Sequence, residues 1–328
     1  MADLQLHSGQ KNGRAGRAAI LLLVVALFLA PVVLHSHLYV IFVLCTIGIY
    51  VIVNSGLDIV YGYSGQISIG QAGFYAIGAY ASALLSVRLG VPVLLTMIAG
   101  ALAAAVVGII IAAPATRVEH HFLALVTIGF GEIVWLVFQN GGAFTGGADG
   151  VVAIPPLKLG SLEFSGYRSY YYVILVCVIL ALMVKASIID SRIGRAFMAI
   201  KYNPQASAAF GVDLVKYKVT AFAIGAFYAG LGGALYAHLI WFVSPETFTL
   251  NQSVLFLTMV LLGGAGTLWG PVIGTVLLIV LLEVLQGFGT YQMAVYGVII
   301  MLILFFMPKG IVGGIEGMFR KLKVAGPV

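Results

Sequence analysis

Charge is what this 328-residue chain has least of. Asp, Glu, Lys and Arg make up 9% of it, against 62% hydrophobic residues. A soluble domain carries about a quarter charged residues, so a water-facing globule is excluded. Cysteine is nearly absent too: Cys45 and Cys177 both fall in apolar runs. That excludes a disulfide framework, and the two read as small packing residues. No metal-ligand spacing is present. There is no G-x-x-x-x-G-K-[ST] motif and no Gly-Lys dipeptide, so the chain does not bind ATP through a phosphate loop. The net charge of +6 has no soluble basic face to sit on, which argues against nucleic acid as a partner.

What is present is a series of apolar segments, each long enough to cross a bilayer. They predict an all-α polytopic membrane protein with about ten transmembrane or re-entrant helices. The segments run over 18–34, 38–57, 66–87, 92–113, 121–139, 169–187, 219–238, 252–264, 271–287 and 291–307. The first follows a basic start and lacks a small-residue cleavage site, so it reads as a retained helix. The eighth is short, and Gly263-Gly264-Ala265-Gly266 after it allows a re-entrant or bent element. The domain plan is a tail at 1–17, a membrane domain at 18–308 and a basic tail at 309–328. Two loops are long: 140–168, rich in Gly and Pro, and the basic 188–218. Placing both termini in the cytoplasm puts fourteen of the 17 Lys and Arg residues inside. Only Arg88, Lys158 and Arg168 lie outside, a strong positive-inside asymmetry. The charge therefore reads as topology.

The stretch "GYSGQISIGQAGFYAIGAY", residues 62–80, breaks the apolar pattern with glycine, glutamine and serine. Lipid supplies no hydrophobic drive between helices, so small residues permit the close backbone contact that holds them. A helix over 66–87 puts Ser68, Ala72, Ala76, Ala79 and Ala83 on one stripe. In the seventh segment Ala226, Gly230 and Ala234 form one small row, and Ala229, Gly233 and Ala237 another. Gln66, Ser68 and Gln71 need polar partners at bilayer depth; they are either interhelical glue or the border of a pathway. "GYSGQ" itself reads as irregular backbone entering the membrane.

Glu132 and Glu283 are the carboxylates deepest in apolar segments, whereas Asp58 sits near a helix end. Each is either a group holding helices together or, in a stand-alone ion-coupled carrier or channel, a coupling site. For Glu283, near a helix end, the holding role fits better. "GYSG" also matches the G-x-S-G of intramembrane serine proteases. Its Ser64, however, falls near one surface and His238 near the other, beyond the reach of a nucleophile and its base. His120 and His121, beside Arg117 and Glu119, read as interfacial.

Several stretches together resemble the branched-chain amino acid ABC transporter permeases, the M-type subunit more than its H-type partner. They are residues 62–80, "FLALVTIGFGEIVWLVFQN" at 122–140, "TGGADGV" at 145–151, "VSPETFTLNQS" at 243–253, "VLLGGAGTLWGPVIGTVL" at 260–277 and "MPKGIVG" at 307–313. Gln71 and Gln252 depart from the family, which often places histidine and an acidic residue there. The resemblance implies an architecture like the vitamin-B12-type importers, in the bacterial inner membrane. It implies a second, H-type permease subunit, two ATP-binding subunits that use the ATP, and a periplasmic substrate-binding protein. The chain itself would bind no cofactor. The implied cargo is leucine, isoleucine and valine, with urea, short amides or aromatic acids as the alternative.

Within the basic loop, "YNPQASAAFGV" (202–212) spells a short helix. Asn203 is a favoured N-cap, Pro204 suits the first turn, and Gly211 supplies a left-handed stop. Two turns are marginal in water, so the helix has to dock on something: a lipid surface or an ATPase groove. Gln205-Ala206-Ser207 followed by Gly211 resembles the E-A-A-x-x-x-G loop of ABC importers, with Gln and Ser departing from it. That resemblance implies a coupling surface of Ala206, Ala209 and Phe210, with Arg195 and Lys201 at its edge.

Overall fold

Backbone polar groups in lipid have to bond within the protein, so a chain this apolar resolves into helices. The structure is a computed structural model that describes residues 28–33, 37–115, 120–159, 162–306, 310, 311 and 313. Most of the 18–34 segment, the 1–17 tail, Arg117, Glu119 and nearly all of the 307–328 region lie outside the described residues.

The main helices are α1 (Leu38–Asp58, continued by a π-turn Ile59–Tyr63), α2 (Gln71–Leu89), α3 (Val93–Ala115) and α4 (His120–Asn140). After the 140–168 loop come α5 (Tyr167–Asp190), α6 (Arg192–Tyr202), α7 (Pro204–Ala209) and α8 (Leu214–Ile240). The chain closes with α9 (Leu250–Gly263), α10 (Gly270–Leu285) and α11 (Gln292–Phe306). Among the described residues six helices are long and apolar enough to cross a membrane: those of α1 to α5 and α8. The segments expected at 252–264, 271–287 and 291–307 appear as shorter helices. At 1.5 Å per residue the 14 residues of α9 reach about 21 Å, less than the ~30 Å hydrocarbon layer. Helices α9 and α10 form a hairpin, closed where Gly263 meets Gly270 backbone to backbone.

The centre of the molecule is α8, and its small rows explain why. Gly225 and Gly232 face Gly56 and Val53 of α1, Gly233 faces the Tyr75 carbonyl of α2, and Gly230 faces α3. At one point three backbones meet. A Cβ on Gly78 of α2 would overlap the backbone of Gly230. A Cβ on Gly230 would lie 3.0 Å from Ala101 Cα and 3.1 Å from Gly100 O. Both expected rows thus face helices, and Ala72 and Ala76 are buried as well. Gly230→Leu forces these backbones apart, at a cost of about 1–3 kcal/mol or more. The variant should lose most of its monodisperse yield in mild detergent. Wild-type yield and thermal midpoint would show that the row is dispensable.

One expectation is corrected. The helix foreseen over 66–87 begins at Gln71, so Ser68 does not belong to the small stripe. Gly65 takes φ +72°, and residues 65–70 run as irregular backbone. Two side chains from other helices hold this stretch: Thr127 Oγ1 accepts from Ile69 N at 3.0 Å, and Ser253 Oγ accepts from Ala72 N at 2.9 Å. Only a folded protein can offer those acceptors, so a local pattern overshoots the helix start. The 140–168 loop also contains a short antiparallel pair, Leu157–Leu159 with Leu162–Phe164. It is tied to the end of α8 by the Val151–Val243 bridge.

Candidate functional site

Sequence reading passed over a buried ion pair. Asp58, at the end of α1, and Lys185, near the end of α5, form an ion pair of 2.8 Å, and both side chains are fully buried. The other Asp58 oxygen accepts from Gly266 N at 2.7 Å, and the Lys185 ammonium also donates to Thr267 O at 3.2 Å. The pair therefore clamps the turn of the α9–α10 hairpin against α1 and α5. Gly62, in the π-turn, has Asp58 Oδ1 and Gly266 N where a Cβ would stand. The Gly62 carbonyl receives Lys201 Nζ of α6 at 2.5 Å. Lys201 was expected at the edge of a partner contact; its ammonium instead turns back onto this turn. The missed signal was a lysine inside an apolar run, "ALMVKAS", which needs an acid to accompany it.

The four polar residues singled out as pathway candidates do not converge. Gln66 is buried, and its amide donates to Ser64 Oγ at 2.7 Å and Lys218 O at 3.3 Å. Ser68 is buried with no partner for its hydroxyl among the described residues. Gln71 donates to Gly225 O at 3.2 Å, which braces α2 to α8. Glu132 alone opens on a cavity, of about 250 Å³, lined with Trp135, Thr249, Leu250 and Asn251. Glu283 is engaged at a helix end by Tyr39 Oη (2.7 Å) and Gln286 Nε2 (2.8 Å), in keeping with a helix-holding role.

Ser64 and His238 do not meet. The Ser64 hydroxyl donates to Val60 O at 2.6 Å. His238 contacts Pro155 O through Nδ1 and Ser82 Oγ through Nε2, both at 2.8 Å. A carbonyl only accepts, so Nδ1 carries the proton and Nε2 accepts from Ser82. This chain of bonds ties the 140–168 loop to α8 and α2.

At the opposite end, α6 buries Gly194, Phe197 and Ile200, and Phe197 packs with Ile59, Tyr63 and Ala221. Ser191 caps α6 by accepting from Ile193 N and Gly194 N. The next helix is built as its sequence suggests. Asn203 Oδ1 accepts from Ala206 N at 2.9 Å, Pro204 opens α7, and Gly211 takes φ +82°. Only Ser207 of α7 is buried; Gln205, Ala206 and Ala209 are exposed, and Phe210 is 90% exposed. Tyr202 stands 79% exposed beside it. The Arg195 guanidinium donates to Asp190 O at 3.0 Å and stays at the surface.

A bundle of membrane-length helices closed by glycine contacts, with charge buried as an ion pair, defines a polytopic membrane protein. The family model described as "Branched-chain amino acid transport system / permease component" matches residues 39–307, and the chain belongs to that family. Among its relatives is the high-affinity branched-chain amino acid transport system permease protein LivM of Salmonella typhimurium. It is 35% identical over 287 residues, 80% of this chain and 68% of the relative. The LivM protein of Escherichia coli K12 matches to the same extent. A probable branched-chain amino acid transport permease protein LivM of Methanocaldococcus jannaschii is 25% identical over 277 residues, 74% of this chain and 80% of the relative. No solved structure matches.

Proposed function

We propose that the chain is the M-type permease subunit of an ATP-driven importer that carries leucine, isoleucine and valine across a bacterial inner membrane. Its relatives' names support the cargo. The observation that carries the coupling is α7, a capped two-turn helix that presents Ala206, Ala209 and an exposed Phe210 with nothing among the described residues to cover them. A helix this short is not held by its own hydrogen bonds, and an exposed aromatic at its end suits a groove on another protein. In this reading two ATP-binding subunits grip α7 from the cytoplasm, and a periplasmic binding protein delivers substrate to the opposite face. A second, H-type permease completes the pathway in an architecture like the vitamin-B12-type importers. Glu132 borders that pathway, Gln66 and Gln71 brace the backbone beside it, and alternating access moves the cargo. ATP is consumed by the partners; this chain holds no cofactor of its own. Both termini and the 188–218 loop face the cytoplasm, where the basic residues collect.

Two measurements test this. Deleting the gene should remove uptake of labelled leucine, isoleucine and valine and leave urea and phenylalanine uptake unchanged. The opposite pattern would reassign the cargo. In a variant without Cys45 and Cys177, Ser8→Cys, Gln205→Cys and Ala325→Cys should resist an impermeant maleimide in intact spheroplasts, and Val152→Cys should label. Labelling of position 205 from outside would remove the docking role.

A further inference from the structure

Helix α4 carries Glu132 twelve residues from its start, about 18 Å along the axis, near the middle of the apolar layer. An isolated carboxylate there costs on the order of 2.5–3.5 kcal/mol on insertion scales. The two ion pairs among the described residues, Lys158–Glu163 and Lys185–Asp58, leave Glu132 without a cation. It is half-buried and faces the cavity of about 250 Å³ noted above. Across that cavity α9 begins, at the same depth: Ser253 bonds the start of α2, and Gly131 lies beside Gly70. Thr249, the cap residue of α9, makes no side-chain cap bond, and the first amide engaged there is Gln252 N, on Thr249 O at 3.0 Å. The Trp135 indole N–H is buried without an acceptor among the described residues. One wall of the cavity is thus anionic. The other holds unused donors at the positive end of a helix, with the apolar Leu250 beside them.

We propose that this cavity binds the zwitterion of an α-amino acid in transit. The ammonium group lies on Glu132, the carboxylate on the first turn of α9 at Leu250 and Asn251, and the aliphatic side chain against Leu250. A helix that begins at mid-membrane supplies what a substrate carboxylate requires. Neither a simple amine nor a simple acid satisfies both walls. The inference rests on the amino-acid cargo proposed above and adds where in this chain that cargo sits.

The test uses the full-length chain with its partner subunits in lipid nanodiscs, without binding protein, and labelled L-leucine in a scintillation proximity assay. Leucine should bind and be displaced by unlabelled leucine. 4-Methylpentanoate, which lacks the ammonium, and 3-methylbutylamine, which lacks the carboxylate, should not displace it. Glu132→Gln should weaken binding roughly tenfold or more, the scale of one charge-assisted hydrogen bond. Asn251→Asp, at an exposed position where an acid suits the helix start, keeps the fold and should repel the carboxylate to a similar degree. Binding unchanged in both variants, no leucine binding, or equal displacement by 4-methylpentanoate would overturn the site. Failure of the cargo itself would appear separately, as leucine uptake that persists in the gene deletion.

Discussion

Ala206→Glu should abolish uptake while the membrane part still folds. Position 206 is the third residue of α7, after Pro204 and Gln205, and its N–H already bonds the Asn203 side chain. A glutamate there is well placed for the helix. It can reach back toward the cap residue as in a capping box, and its charge suits the positive end. The Ala206 side chain is exposed, so nothing among the described residues has to move. The damage falls on what docks there. A groove fitted to Ala206, Ala209 and Phe210 has no room or partner for a buried carboxylate, and an unpaired charge in an interface costs several kcal/mol. Co-purification of the ATP-binding subunits should drop to background, and substrate-stimulated hydrolysis with it. Ala206→Ser, small and uncharged, should keep both. Wild-type association and hydrolysis in Ala206→Glu would remove the docking assignment and favour a carrier that works alone.

Lys185→Met should cost about 3–5 kcal/mol, because it leaves Asp58 buried and unpaired. Both side chains are fully enclosed, and at 2.8 Å the pair leaves no space for water between its charges. Lys185 also holds Thr267 O, and its ammonium lies 5.8 Å from the Tyr63 ring. Its loss therefore frees the hairpin turn as well. The double variant Asp58→Asn, Lys185→Met should recover much of the loss. It buries no charge, and the asparagine oxygen can keep Gly266 N. Unfolding can be followed by labelling of Cys45, which is buried against α5 through its bond to Tyr167 O. A double variant as unstable as the sum of the two single variants would mean that the pair is not coupled.

The legible parts of the fold follow from periodicity and from the chemistry of single residues. Residues 38–57 and 219–238 are visible as crossings because a run of about 20 apolar residues has little choice in lipid but to close its own hydrogen bonds. The α7 helix is visible because Asn203, Pro204 and Gly211 each act on backbone groups within a few positions of themselves. The rows Ala226–Gly230–Ala234 and Ala229–Gly233–Ala237 announce close packing, since small side chains serve little else in a membrane helix. Which helix each row meets is not written there. Gly230 meets Gly100 and Gly78, and those partners lie more than a hundred positions away.

Sequence by itself determined the class of protein, its membrane-length helices and the short capped helix α7, because each depends on hydropathy or on contacts along the chain. Tertiary structure alone decided three things: the late start of α2, the pairing of Asp58 with Lys185, and the opening of Glu132 toward the start of α9. Their partners stand 181 positions away for Ala72 and Ser253, and 127 for Asp58 and Lys185. A local pattern carries no information at that separation. A buried charge or an uncapped helix start shows in sequence only as a need for a partner, and the packing of the helices decides which residue meets it.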